Sequence, residues 1–190
     1  IAEMREQVLD DDTLLFEYSL GDQRSFLWAI PRTSIDTYEL PKRAVITAAA
    51  QGATFDGETM TSYYRDDLMG LPEMGVVGDR LWRMSGLTPA DVSTAFLYDH
   101  FTPFVLMQLE ELGFCGRGEA AGFIKDGNIE IGGKLPVNTN GGLIGEAYIH
   151  GMNNIAEAVR QIRGTSHNQV KDPQHVLVSS GMAGAVLSKV

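Results

Sequence analysis

The stretch from Ser93 to Gly113 reads STAFLYDHFTPFVLMQLEELG and sets the pattern for most of the chain. Residues 93–98 form a short apolar run that predicts a buried strand. Thr102-Pro103 then offers a helix N-cap followed by proline at the first helical position. The apolar residues after it continue at helical spacing until Gly113 ends the helix. The stretch therefore predicts a strand followed by a helix, the repeating unit of an α/β fold.

The same alternation continues on both sides of this stretch. Apolar runs predict buried strands over 44–50 and 176–179, the second being the last strand of the chain. Helical spacing predicts helices over 76–84 and 152–162, and Thr88-Pro89 repeats the N-cap signal. Strands that alternate with helices predict a mostly parallel or mixed sheet with helices on its faces.

The first forty residues have a different texture. Runs rich in β-branched and aromatic residues at 13–20, 25–30 and 34–40 are separated by turn residues, which predicts a short antiparallel β meander. The segment LPKR, ending at Arg43, marks a junction. We therefore expect a meander in residues 1–42 and an α/β domain in residues 43–190.

Composition excludes several classes of protein. The chain has 190 residues, 44% of them hydrophobic and 21% charged, as in an ordinary globular protein. A formal net charge of −10 argues against binding to nucleic acid, whose phosphates would be repelled. The single cysteine excludes an internal disulfide framework and suits a reducing cytoplasm. Because no long apolar stretch or signal peptide is present, we expect a cytoplasmic protein without a membrane span.

The tetrapeptide Tyr98-Asp99-His100-Phe101 follows the predicted strand at its carboxyl end. Open α/β sheets place ligand-binding and catalytic groups at this edge. The same residues also fit a structural interpretation, in which Tyr98 is a half-buried anchor and Asp99 a turn residue.

A glycine-rich stretch, NTNGGLIGEAYIHG, covers Asn138 to Gly151 and precedes a predicted helix. Its glycines permit positive φ, and the helix after it offers N–H groups to an anion or oxyanion. The stretch matches neither the P-loop nor the dinucleotide-binding pattern. Taken alone, it fits either a tight turn or a binding loop.

Cysteine and histidine chemistry gives weaker candidates. Cys115 lies beside an aromatic residue, which is more typical of a small buried side chain than of a nucleophile. The four histidines show no metal-ligand spacing, so we expect no metal site.

Taken in order, these motifs resemble the C-terminal half of a thiolase-like protein, over about residues 43–181. The resemblance is to the lipid-transfer (sterol-carrier) thiolase group. It implies a thiolase-like C-terminal α/β domain with a mixed sheet. The Asn-x-x-Gly-Gly motif of that family is matched by Asn138, Gly141 and Gly142.

Departures from the family pattern fall at its reacting positions. Tyr98 stands first in the tetrapeptide, where relatives carry asparagine or histidine, and Tyr148 replaces the histidine of Gly-His-Pro. In condensing thiolases these two positions hold the thioester oxygen. The Cys-x-Gly loop, source of the acid/base cysteine, reads Ser179-Ser180-Gly181 here. The resemblance therefore implies that carbon–carbon condensation through two cysteines is lost.

The tyrosine pair resembles the thiolase-like aldolases of bacterial steroid side-chain degradation. This implies retro-aldol cleavage of a β-hydroxyacyl-CoA, for a steroid releasing a ketosteroid and propionyl-CoA, without a cofactor. It also implies a homo-oligomer with a small OB-fold partner protein. A catalytically silent binding or assembly module and an acyl-CoA acyltransferase are the alternatives.

The resemblance assigns roles to eight residues. Tyr98 and Tyr148 are expected to act as hydrogen-bond donor and proton carrier at the reacting centre, tuned by His100, His150 or Asp99. The loop residues Asn138, Gly141 and Gly142 are expected to shape the substrate-binding site.

Residues 1–42 resemble a different family. Their predicted strands are similar to the opening strands of a CHAT domain, a relative of caspase-like peptidases. The His/Cys dyad of that family is absent, so we expect no chemistry from this segment.

Overall fold

The chain divides into two compact units, with the boundary between Arg43 and Ala44. The structure is a computed structural model that describes residues 15–20, 25–40, 44–54, 70–146 and 149–190. None of the described helices is long and apolar enough to cross a membrane.

The first unit contains an antiparallel sheet of three strands in the order β1-β2-β3. These strands are β1 (Leu15–Leu20), β2 (Ser25–Ile30) and β3 (Asp36–Leu40). Ala29 and Ile30 are buried, and the Phe26 and Trp28 rings stack with centroids 6.1 Å apart. The predicted antiparallel meander is confirmed.

The second unit is built on a four-stranded sheet in the order β4-β7-β6-β5. The strands are β4 (Ala44–Gln51), β5 (Thr94–Phe96), β6 (His175–Ser179) and β7 (Ala183–Lys189). The helices among the described residues are α1 (Pro72–Ser85), α2 (Thr102–Glu111), α3 (Ala120–Lys125), α4 (Gly142–Gly145) and α5 (Met152–Arg163). β5 and β6 run parallel, whereas β6, β7 and β4 pair antiparallel, so the predicted mixed sheet is confirmed.

Helices cover both faces of this sheet. In β6, Leu177 packs in one apolar cluster with Leu81 of α1. The preceding residue Val176 packs in another cluster with Ala158 and Ile162 of α5. Because successive strand side chains point to opposite faces, α1 and α5 lie on opposite sides of the sheet. This double cover explains why the three central residues of β6, 176–178, are all apolar.

Two predicted helix ends are confirmed. α1 ends before Gly86, at φ 69°, and α5 ends before Gly164, at φ 74°. Both glycines adopt the left-handed conformation that a residue with a Cβ rarely takes. Glycine was therefore the reliable stop signal in this sequence.

The predicted buried strand over 44–50 is present, but its burial was wrong. In β4, Ala48 is 2% exposed whereas Ile46 is 66% exposed. β4 lies at the end of the strand order and pairs only with β7 among the described strands. An edge position leaves part of an apolar strand uncovered within this unit.

The strand over 176–179 is also not the last one. β7 follows after a tight turn, in which Ser180 N–H donates to the Ala183 carbonyl at 2.8 Å and Gly181 takes φ 84°. β7 contains small residues such as Ala183 and Gly184, which lack a strong strand pattern. Pairing with two neighbours places this segment in the sheet despite that composition.

Of the two predicted threonine N-caps, the one at Thr88 is confirmed and the one at Thr102 was wrong. Thr88 precedes a single 3₁₀ turn, Pro89–Asp91, in which the Thr88 N–H and hydroxyl both donate to the Asp91 carboxylate at 2.7 Å. Thr102 is the first residue inside α2, and its cap position is held by Phe101 in an extended conformation. Pro89 therefore occupies the first helical position as predicted, whereas Pro103 is the second residue of α2.

Candidate active site

The chain leaves the sheet directly after β5, and a side chain takes over the pairing of the next residue. The Asn138 Oδ1 accepts from the Leu97 N–H at 2.8 Å, and its Nδ2 donates to the Leu97 carbonyl at 2.9 Å. Asn138 itself takes φ 50°, and its own N–H donates to Ala95 O at 3.0 Å. The asparagine therefore ties the start of the glycine-rich loop to the segment that leads into Tyr98.

A second tie joins the two segments at Asp99. Its carboxylate, 6% exposed, accepts from the Leu143 N–H at 2.8 Å. Gly142 makes this approach possible, because a Cβ there would lie 2.0 Å from Asp99 Oδ2, and its φ is 66°. Gly141 is also left-handed, at φ 95°. Gly142 is thus required by the close approach of the Asp99 carboxylate, and Gly141 by its positive φ.

Hydrogen bonds to its main-chain groups hold Tyr98 in place. Gln108, fully buried in α2, donates from Nε2 to Tyr98 O at 2.7 Å and accepts at Oε1 from Tyr98 N–H at 3.3 Å. The hydroxyl of Ser179, at the end of β6, donates to the same Oε1. The Tyr98 side chain is 7% exposed, and its ring centroid lies 4.6 Å from that of His100.

His100 lies within an aromatic cluster. Its ring centroid is 4.6 Å from Phe101 and 4.7 Å from Phe104, and neither ring nitrogen has a hydrogen-bond partner among the described residues. Burial lowers the pKa of the imidazole below its ordinary value, and the Asp99 carboxylate opposes only part of that effect. His100 is therefore a neutral imidazole near pH 7, with one donor and one acceptor nitrogen unused.

The other predicted site residues have different outcomes. His150 is exposed and takes φ 49°. Tyr148 lies outside the described residues. The structure thus brings together Tyr98, Asp99, His100, Asn138 and the two glycines.

Burial, reinforced by the Glu110 and Glu119 carboxylates, raises the pKa of the Cys115 thiol. A thiol that remains protonated is a poor nucleophile, which supports the structural interpretation of this residue. In the part of the chain that the structure describes, no group of three or more His, Cys, Asp or Glu side chains is placed to hold a metal ion.

Gln108 was missed at the sequence level, although a signal was present. It is the one amide within the apolar run of α2 between Phe104 and Leu109. A fully buried glutamine requires hydrogen-bond partners, which identifies it as part of a polar network. Ser179 was noticed only as a departure from the cysteine loop, because sequence alone does not reveal that its hydroxyl contacts α2.

A polar cleft of about 380 Å³ borders the glycine-rich loop. It is lined by Asn140, Glu146, Glu157, Arg160, Thr165, His167 and Asn168. Glu157 is paired there, with Arg160 at 3.2 Å and with the Ser166 hydroxyl. The Glu157, Arg160 and Ser166 side chains are thus engaged with one another, and the cleft was not predicted.

The fold and the site define a thiolase-like α/β domain, with polar groups gathered at the edge of the sheet after β5. The family of thiolase C-terminal domain-like proteins matches residues 56–190. The chain belongs to that family, so the predicted resemblance is confirmed. The match begins after the meander, and the CHAT resemblance of residues 1–42 stays a prediction.

Three known proteins are especially similar. A 17-hydroxy-3-oxo-4-pregnene-20-carboxyl-CoA lyase of Mycobacterium tuberculosis is 70% identical over 137 residues, 72% of this chain and 36% of the relative. A steroid side-chain-cleaving aldolase of Thermomonospora curvata is 64% identical over 138 residues, 73% of this chain and 35% of the relative. A solved structure of an Ltp2-ChsH2(DUF35) aldolase is 59% identical with a TM-score of 0.76, covering 80% of this chain and 41% of that one. The chain spans about a third of the length of the two curated relatives.

The contact between Gly142 and Asp99 gives a test on the chain itself. Gly142→Ala forces a Cβ into the carboxylate and strains a left-handed residue, so the free energy of unfolding should fall by at least about 1–2 kcal/mol. Gly145→Ala is the matched control, because a Cβ there meets nothing within 4 Å. Urea denaturation measures both, and equal stability of the two variants would contradict the proposed fit.

The neutral state of His100 predicts a pH dependence. Its pKa is lowered in the folded protein, so the unfolded chain takes up the proton first, near the ordinary histidine pKa of about 6.5. Stability present above that pH is then lost as the pH falls through the folded-state pKa. His100→Phe should flatten the decline in unfolding free energy between about pH 7 and pH 5.

Urea midpoints measured across this pH range compare His100→Phe with the parent chain. His167→Gln, at an exposed histidine, is the control and should keep the parental slope. A parental slope in His100→Phe would show that the buried imidazole is not the responsible group.

Proposed function

We propose that this chain is the C-terminal part of a thiolase-like acyl-CoA lyase, which cleaves a β-hydroxyacyl-CoA by retro-aldol reaction. The observation that supports this most strongly is that hydrogen bonds join the Tyr98 segment to the glycine-rich loop at two places. Asn138 binds Leu97 through two hydrogen bonds, and Asp99 binds Leu143. These contacts hold the loop that leads to Tyr148 beside the segment that carries Tyr98.

The relatives support this class of reaction. Both curated relatives are known by names that state carbon–carbon cleavage, one as a carboxyl-CoA lyase and one as a steroid side-chain-cleaving aldolase. The identities of 70% and 64% each extend over nearly three quarters of this chain. We extend to this chain a steroid-like β-hydroxyacyl-CoA substrate, cleaved to a ketone and a shorter acyl-CoA such as propionyl-CoA.

The reaction needs a base and hydrogen-bond donors. A base removes the β-hydroxyl proton, the Cα–Cβ bond breaks, and its electron pair moves into the thioester enolate while the ketone forms. The enolate then takes a proton at Cα. A phenol with a pKa of about 10 is protonated at neutral pH, so it serves readily as a donor to the enolate oxygen. In this proposal Tyr98 and Tyr148 share the donor and proton-carrier roles.

His100 fits the role of a proton relay beside Tyr98. Its imidazole is neutral and keeps one acceptor and one donor nitrogen unpaired, with ring centroids 4.6 Å from Tyr98. Buried nitrogens without partners cost stability, and such a cost is typical of functional sites. A neutral imidazole adds no positive charge beside the phenol, and in this proposal its two ring nitrogens, unpaired among the described residues, bind the phenol or the substrate hydroxyl in the reacting complex.

A partner protein is part of the proposal. The solved relative is a complex with a DUF35 protein, and we propose a partner of that type, with an OB-fold, for this chain. Apolar side chains exposed around the glycine-rich loop support contact with a further protein surface. They are Ile144, Ile149, Met152 and Ile155, between 41% and 63% exposed.

The two tyrosines give the test. In the full-length protein with its DUF35-type partner, Tyr98→Phe and Tyr148→Phe should each lower turnover of a β-hydroxyacyl-CoA by about 10²-fold or more, because each removes a group that acts in the transition state. Chromatography of the released ketone and shorter acyl-CoA measures turnover. Tyr38→Phe, at a half-exposed tyrosine of the first unit, is the control and should retain parental turnover.

Three other results would each reject the proposal. Near-parental turnover in both tyrosine variants would remove the site assignment. Silence of the parent with and without partner protein would favour a binding or assembly module. Incorporation of a second acyl-CoA would instead identify an acyltransferase.

A further inference from the structure

The hydrogen-bonding capacity of Gln108 is completely used. Its two Nε2 protons go to Tyr98 O at 2.7 Å and Phe104 O at 3.0 Å. Its Oε1 accepts from the Tyr98 N–H at 3.3 Å and from the Ser179 hydroxyl. A glutamine side chain has two donors and two acceptor lone pairs, so each is matched. Gln108 is also fully buried, which makes its orientation unique.

Gln108 forms hydrogen bonds to the main chain beyond the end of β5, where pairing with a neighbouring strand has stopped. β5 ends at Phe96, and the next two residues have lost the ladder. Leu97 is paired on both main-chain groups by the Asn138 amide, and Tyr98 is paired on both by the Gln108 amide. The Asn138 and Gln108 side chains thus make the hydrogen bonds that a neighbouring strand would otherwise make, as far as Tyr98.

Ser179 supports Gln108 from the neighbouring strand. It is 2% exposed, and its Oγ lies 3.4 Å from the Tyr98 nitrogen, so this N–H is shared between Ser179 and Gln108. Because β6 is parallel to β5, the end of β6 lies beside the end of β5. The Ser179 hydroxyl donates its hydrogen bond to Gln108. We therefore assign it a positioning role and not an acid/base role.

We propose that Gln108 and Ser179 are positioning residues for Tyr98: they fix its main chain and thereby aim its phenol at the substrate. This inference rests on the proposed lyase function. Neither residue contacts the substrate in this account. Displacement of a reacting group by about 1 Å can cost about 10²-fold in rate. Loss of the hydrogen bonds from Gln108 and Ser179 should therefore affect turnover more than substrate binding.

The test is a set of steady-state measurements on the full-length protein with its partner. Gln108→Leu should lower kcat by more than about ten-fold with KM changed by less than about three-fold. Ser179→Ala should lower kcat by about three-fold or more, because it removes the hydrogen bond that the Ser179 hydroxyl donates to Gln108. Ser188→Ala removes a buried hydroxyl from β7 that bonds to His175 and Thr47, and it should retain parental kcat.

The decisive comparison uses Tyr98→Phe as the background. If both residues act through the Tyr98 phenol, Ser179→Ala and Gln108→Leu should cause no further loss of kcat once that phenol is absent. A loss of the same size in both backgrounds would overturn the inference. Parental kcat in Ser179→Ala and Gln108→Leu would also overturn it, even with the lyase activity confirmed.

Amide hydrogen exchange on this chain provides the second measurement, because Gln108→Leu can fail to fold and the parent can prove inactive. A silent parent would reject the proposed function alone. Exchange in Ser179→Ala should then still be faster at the Tyr98 amide than in the parent, with the Leu177 amide of β6 unchanged. Parental exchange at Tyr98 in that variant would overturn the inference in either case.

Discussion

Side-chain amides hold the chain beyond the end of β5, and the rest of the site depends on that pairing. Asn138 replaces a strand for Leu97, and Gln108 replaces one for Tyr98. Four buried main-chain groups would otherwise lack partners, at a cost of about 1–3 kcal/mol each. The need to satisfy backbone groups therefore determines where Tyr98 stands and which loop lies next to it.

The same ties explain why distant parts of the sequence meet. Asp99 and Leu143 are 44 positions apart, and Gln108 and Ser179 are 71 apart. The parallel pairing of β5 with β6 brings the ends of both strands to one edge, and Gly142 allows the loop to approach Asp99. The chain keeps the thiolase-like fold, and in the proposed site Tyr98 and Ser179 stand where the resemblance implies other residues in condensing relatives. The change in proposed chemistry therefore needs no change of fold.

The sequence predicted what depends on strong local signals. Apolar periodicity located α1, α2, α5 and β6, and glycine marked the ends of α1 and α5. The motif order identified the family, and it nominated both loops of the proposed site. β7 was missed because its small residues form a strand only through pairing with β4 and β6. The exposure of β4 was missed because burial depends on strand order, which local pattern does not contain.

The site shows the same division. Residue types and motif order were enough to nominate Tyr98, Asp99 and Asn138. The roles of Gly142 and Gln108 follow only from contacts between distant parts of the chain. Gly142 leaves room for the Asp99 carboxylate, and Gln108 in α2 accepts a hydrogen bond from Ser179 in β6. His100 was nominated as a tuning group, but its neutral state follows from burial, which lowers the pKa of the imidazole and which the residue types alone do not reveal.

The central claim is that the Tyr98 segment and the glycine-rich loop form one acid/base site. A crystal structure of the full-length protein and its partner with an unreactive β-hydroxyacyl-CoA analogue tests this most directly. The account predicts that the Tyr98 and Tyr148 phenol oxygens both lie about 2.5–3.0 Å from the β-hydroxyl or thioester oxygen of the ligand. An analogue bound away from this edge of the sheet, or phenols pointing to opposite faces, would contradict it.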